Sequence, residues 1–197
     1  SDVKVDYSLA YCNKRDMTPI EVHQKYLELR NTIYKNHLCL FTDGSVINEK
    51  AGFAVFGENL VISKRIHNYS SIYTSELLAI KTCIENLENV DQRTLIISDS
   101  KSALQGLQDP FSSNTIINRT RETITNLPNN EICFLWIPSH LNINGNETVD
   151  TLAKNSLNEN ISTEYKYNYS DYRQIIRKYI FDLWNDMWQN NQTAKLY

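Results

Sequence analysis

Two aspartates in this chain each close a short apolar run. Leu38, Cys39, Leu40 and Phe41 lead to Asp43 in TDGS, and residues 94–98 (TLIIS) lead to Asp99 in SDSKSAL. Runs of that length read as buried strands. A carboxylate at the tip of such a strand is desolvated at its base, which costs energy unless a cation or a hydrogen-bond donor compensates. Alone, Asp43 also reads as a turn aspartate, with Gly44 and Ser45 expected to turn the chain away. The repetition of the pattern at Asp99 adds weight to the chemical reading. A helical connection between the two strands makes them parallel. As neighbours they would place Asp43 and Asp99 side by side at the carboxyl ends, where ligand sites form in open α/β sheets. Two anions that close repel, and one keeps its proton unless a cation bridges them.

Three further residues have the right chemistry. Glu76, in YTSELLAI, shares its side of a helical pattern with Ala79, Ile80 and Cys83. A glutamate on an inward face is seldom fully buried without a partner, and otherwise reaches for water at the boundary. His140 lies in a loop over residues 139–145, where a surface histidine is the plain alternative. Asp150, in GNETVDTLAK, sits one turn into the helix that follows, where an acid also favours the helix dipole.

The elements that must position these side chains follow from the pattern. Residues 1–18 read as irregular. Thr18 and Pro19 start a packing or linker helix with Val22, Tyr26, Leu29 and Ile33 as its stripe. Residues 51–56 and 60–65 form a hairpin that continues the first strand as an antiparallel meander. Residues 73–87 are a helix with Ser71 as its N-cap. A short helix at 100–106 is expected to stop at Gly106. A helix over about 114–127 turns Ile116, Ile117 and Ile124 inward and Arg119 and Arg121 outward. Residues 132–137 are the fifth strand. Gly145 and Asn146 read as a turn and N-cap before a helix over 147–157. Residues 170–190 are a helix whose wide apolar and aromatic face, including Ile176, Tyr179, Leu183, Trp184 and Trp188, is expected to pack on the sheet or on a neighbouring part of a longer chain. The sharper alternative is an aromatic and basic surface for nucleic acid.

The chain has 197 residues, of which 41% are hydrophobic and 22% charged, which suits one core with extensions. No apolar run approaches membrane-spanning length, and the first residues are too polar for a signal peptide. Cys12, Cys39, Cys83 and Cys133 are scattered without a CxxC pair, so reduced thiols and an intracellular setting, cytoplasmic or nuclear, are expected. A net charge of −3 counts against tight nucleic-acid binding by the free chain. Such a substrate would need local basic residues, metal ions or a larger parent protein.

Taken together, Asp43, Glu76, Asp99 and Asp150 in order, on the succession strand, hairpin, helix, strand, helix, helix, strand, helix, resemble the type 1 ribonuclease H domain, and most closely those of non-LTR retrotransposon polyproteins. The resemblance covers about residues 38–157. It implies an α/β fold with a mixed five-stranded sheet in the order 3-2-1-4-5 and helices on both faces. A catalytic domain would span 37–159, between an N-terminal extension with one helix (1–36) and a C-terminal helical extension (160–197). It also implies cleavage of the RNA strand of RNA–DNA hybrids during retroelement reverse transcription. Asp43, Glu76, Asp99 and Asp150 would hold two magnesium ions, with manganese as a substitute. His140 would assist proton transfer or product release, and Asn146 and Glu147 would lie near the site. The partners implied are the hybrid and an attached or associated reverse transcriptase, with the isolated domain a monomer. The residue types agree, because hard divalent cations take oxygen ligands and phosphodiester hydrolysis needs an activated water and neutralised charge. Three departures bear on substrate. The basic insertion common in cellular enzymes is absent after residue 127, so grip on the hybrid should be weaker. Ile72, Tyr73 and Thr74 stand where asparagines often read 2′-hydroxyls, and Asn142 stands where glycine is frequent.

Overall fold

The computed structural model describes residues 2–12 and 16–194. Its centre is a six-stranded mixed sheet. In chain order the strands are β1 (Lys4–Asp6), β2 (Leu38–Ile47), β3 (Lys50–Gly57), β4 (Leu60–Ile66), β5 (Gln92–Ser98) and β6 (Asn130–Trp136), and they lie side by side as β1-β6-β5-β2-β3-β4. The five strands expected from the sequence keep the order 3-2-1-4-5. The correction is the sixth: residues 4–6, expected to be irregular, pair in parallel with Cys133–Leu135 at the edge. Three residues are too few to show a period. Residues 1 and 13–15 of that stretch lie outside the described residues.

The helices are α1 (Pro19–Asn31), α2 (Ile72–Glu85), α3 (Lys101–Gln108), α4 (Thr115–Thr125), α5 (Asn144–Ser156) and α6 (Tyr169–Ala194). Caps set several starts. Thr18 and Glu21 form a reciprocal capping box on α1, and the Ser71 and Asn114 side chains accept backbone N–H groups of α2 and α4. Two cores result. Leu77, Ile80 and Ile84 of α2 pack with Leu104 and Ile117 and with Leu40, Phe53 and Ile96 of the sheet. On the other face Val22 and Tyr26 of α1 and Val149 and Ala153 of α5 pack with Phe41, Leu95 and Leu135.

Several expectations change. Ile33 is exposed, because α1 ends at Asn31 before the stripe reaches it. Gly106 does not stop α3 but sits within it. A Cβ there would stand 2.3 Å from the Tyr73 hydroxyl and 3.0 Å from Ile117 Cδ1, so the glycine lets α3 approach its neighbours. Arg121 does not point freely outward; its Nη1 donates to the Leu107 carbonyl at 2.6 Å. The last helix does not pack on the sheet along its length. Tyr179, Ile180, Phe181, Trp184, Met187 and Trp188 are all more than half exposed; Asp171 near the helix start is buried, and further along Lys178 Nζ lies 3.1 Å from Glu49.

Candidate active site

Strand β2 does not end at Asp43. It runs on to Ile47 and turns at Asn48 and Glu49, which take φ values of 48° and 70°. What ends near Asp43 is the neighbouring strand. The last parallel pair between β2 and β5 is Phe41↔Ile97, while the antiparallel ladder to β3 continues through Asp43↔Ala54. Asp43 therefore lies just past the carboxyl end of the parallel pair, beside Asp99, although its own strand is unbroken. An Asp-Gly pair read as a turn turns out to be a packing device. A Cβ on Gly44 would stand 2.8 Å from both the Glu76 nitrogen and Ser75 Cβ. With no side chain there, the second turn of α2 lies against the strand and brings Glu76 to Asp43.

One carboxylate oxygen from each of Asp43, Glu76 and Asp99 lies within 4.8 Å of the other two, and these three are a group that could hold a metal ion among the described residues. Asp43 and Glu76 are 8% and 6% exposed, and Asp99 is half-buried. Burial, then the charges of Asp99 and Asp150, push the Asp43 carboxyl up from 3.8 to about 7, against the pull of the Gly44 N–H that donates to its Oδ1 at 2.8 Å. Burial and the charges of Asp43 and Asp99 hold Glu76 well above the usual carboxylate range. Glu76 Oε2 is buried without a hydrogen-bond partner. A desolvated oxygen beside two further carboxylates is an environment that a divalent cation satisfies and that bare protein does not. The donor set, all oxygen and no sulfur, fits a hard cation such as magnesium or manganese.

Asp99 is the braced member. Ser139 Oγ donates to its Oδ2 at 2.8 Å, and Trp136 Nε1 donates to its backbone carbonyl at 3.0 Å. Asp150 is near enough for its charge to raise Asp43, but it is not among the three within 4.8 Å. Its Oδ2 is paired with Lys154 Nζ at 2.6 Å, one turn along α5. His140 is exposed, with φ 63°, directly after Ser139. Asn146 does not cap α5: the helix already starts at Asn144, Ile143 holds the cap position, and the buried Asn146 Oδ1 has no partner. Glu147 is exposed on the same turn.

Sequence reasoning missed three supports. Lys154 stands four residues after Asp150, a spacing that could have been read as an ion pair. Ser139 and Trp136 gave no signal, since their role depends on two strands ending together.

A family model described as RNase H matches residues 35–158, more than half of the chain. No curated protein matches it.

Proposed function

The chain belongs to the ribonuclease H family, and from that premise we propose that it is a divalent-metal-dependent endonuclease that cleaves the RNA strand of RNA–DNA hybrids. The observation that carries the reading is the convergence of Asp43 on β2, Glu76 on α2 and Asp99 just after β5, one oxygen from each within 4.8 Å of the others. Asp43, Glu76, Asp99 and Asp150 would hold two magnesium ions. When bound, such ions activate water and neutralise charge at the phosphodiester.

The chain's own residues supply the rest. With a cation bound, Asp43 and Glu76, whose carboxyls burial and neighbouring charge raise, would release bound proton to solvent and offer charged oxygens. Asp99 is held in orientation by Ser139 and Trp136. Asp150, now paired with Lys154, would complete the set of oxygen ligands. His140, exposed beside Ser139, assists proton transfer or product release. Water is the attacking group, and the Ser139 hydroxyl serves to orient Asp99. The products are a 5′-phosphate and a 3′-hydroxyl.

The resemblance to non-LTR retrotransposon domains supports a role in retroelement reverse transcription, with a reverse transcriptase attached or associated and residues 37–159 as the catalytic domain. The four unpaired cysteines support a reducing, intracellular setting. The test is cleavage of labelled hybrid, double-stranded RNA and single-stranded RNA by the full chain with magnesium, manganese or EDTA. Hybrid should be cut in its RNA strand with either metal and spared in EDTA. Binding of hybrid without cleavage under any of these conditions would instead make the chain a binding module on this fold.

A further inference from the structure

We propose that His23 is a positioning residue for the reaction: from the N-terminal helix it holds the loop that presents His140. The inference rests on the role given above to His140, and it concerns a helix that lies outside the matched region.

The loop after β6 carries two non-glycine residues in the left-handed region, His140 with φ 63° and Asn142 with φ 53°. Such residues persist only where their surroundings over-determine them. Three contacts do so here. Before His140, Ser139 Oγ donates to Asp99 Oδ2 at 2.8 Å, which ties the loop to the acidic cluster. After it, Leu141 and Ile143 are buried in the same cluster as Val22 and Tyr26 of α1. At the turn itself the Leu141 carbonyl meets His23 Nδ1 at 2.6 Å. A carbonyl oxygen only accepts, so Nδ1 carries the proton and donates. His140 therefore stands between two tethers, one to the acids and one to α1.

The second tether is itself fixed. The His23 ring meets the Tyr26 ring edge-on, with centroids 6.2 Å apart at 81°. The Thr18 capping box sets the start of α1, and buried Val22 and Tyr26 dock it on the sheet. His140 and Asn142 are exposed, and a shallow groove lined by Pro19, Ile20, His23, Gln24, Leu141 and Asn142 separates the loop from the helix. The His23 hydrogen bond crosses from one to the other. Losing it removes the polar tie at the turn while the Ser139 contact and the burial of Leu141 and Ile143 remain, so the turn keeps its place but holds His140 less tightly, and the acids keep their orientation.

The experiment uses the full chain with His23→Ala, His23→Asn, His140→Ala and the His23→Ala/His140→Ala pair. Asparagine can place an N–H close to where Nδ1 stands. In hybrid cleavage, His23→Ala should lower kcat roughly fivefold to tenfold at unchanged KM, the scale of one lost hydrogen bond. His23→Asn should recover most of that loss. In the His140→Ala background, His23→Ala should have no further effect. Amide hydrogen exchange over residues 139–143 should quicken in His23→Ala and return in His23→Asn, a readout that needs no turnover. An unchanged kcat in His23→Ala would overturn the proposal. So would an equal loss with and without His140, which would mark His23 as structural support alone. A wild-type chain that cleaves nothing, yet shows the exchange difference, would keep the tether and reject the assigned reaction.

Discussion

The acidic cluster has a closed end and an open end. At the closed end Asp43 and Glu76 are buried, their carboxyls are raised by burial and by neighbouring charge, and Glu76 Oε2 has no partner. At the open end Asp99 is braced by Ser139 and Asp150 is paired with Lys154. Each acid of the open pair has a side-chain partner, whereas in the closed pair Asp43 accepts the Gly44 backbone N–H and Glu76 Oε2 has no partner, which leaves charge that a proton or a cation offsets. Function and stability therefore pull apart at the closed end, where the groups that would hold metal cost the metal-free fold most.

Asp43→Asn breaks this comparison most severely. It should lower hybrid cleavage roughly a thousandfold or more, because a ligand shared in charge neutralisation is gone. The metal-free variant should unfold at the same or a higher temperature than the wild type at pH 8, since a desolvated charge goes with it. Asp99→Asn should impair cleavage without that gain, because the Ser139 hydrogen bond is weakened. If Asp43→Asn were the destabilised one, the closed end would be structural.

The next effect is on pH. The Asp43 carboxyl is pushed up from 3.8 to about 7 by burial first and the Asp99 charge next. Between those values the folded chain holds a proton that the unfolded chain has released, so this group's contribution is complete at low pH and is lost as pH rises through about 7. Metal-free wild type should therefore lose melting temperature from pH 5 to pH 8 relative to Asp43→Asn, and magnesium or manganese should restore it most at pH 8. Parallel pH profiles for the two proteins would contradict this.

His140→Ala should slow turnover by roughly a hundredfold, as expected for loss of a proton-transfer group, while leaving both ends of the cluster and the melting temperature as they are. Complete loss of activity would give His140 a larger part. The smallest effect is a control far from either end. Removing residues 183–197 should shift the melting temperature by no more than about 2 °C, because the described side chains after Asp182 are exposed. A larger fall, followed by thermal melting, would mean that the distal part of α6 packs on the domain.

The five central strands as elements and the succession of the acids along the chain are legible in the sequence, because strand length, apolar runs and punctuating residues are local; the side-by-side order of the strands comes from the family resemblance. Asp43 shows where local reading fails. Asp-Gly carries the same turn signal whether it ends a strand or lets a helix lie against one, and only the position of Ser75 and Glu76 decides between them. The sequence pattern does not distinguish Asp150 from the other acids, whereas in the structure its Oδ2 pairs with Lys154 and it is not among the three within 4.8 Å. The two flanking helices make the same point. Val22 and Tyr26 in α1 and Ile180 and Trp184 in α6 both carry apolar patterns; the first pair is buried and the second exposed. A pattern gives a face and not what lies against it. His23 left no trace, since its contact with Leu141 spans 118 positions.

The most direct measurement is calorimetric titration of manganese or magnesium into the full chain and into Asp43→Asn at pH 6.5, in buffers of different ionisation enthalpy. The account predicts saturable binding to the wild type with net proton release, as Asp43 and Glu76 exchange protons for metal, and its loss in the variant. Binding of equal strength in both proteins, or none in the wild type even with hybrid present, would contradict it.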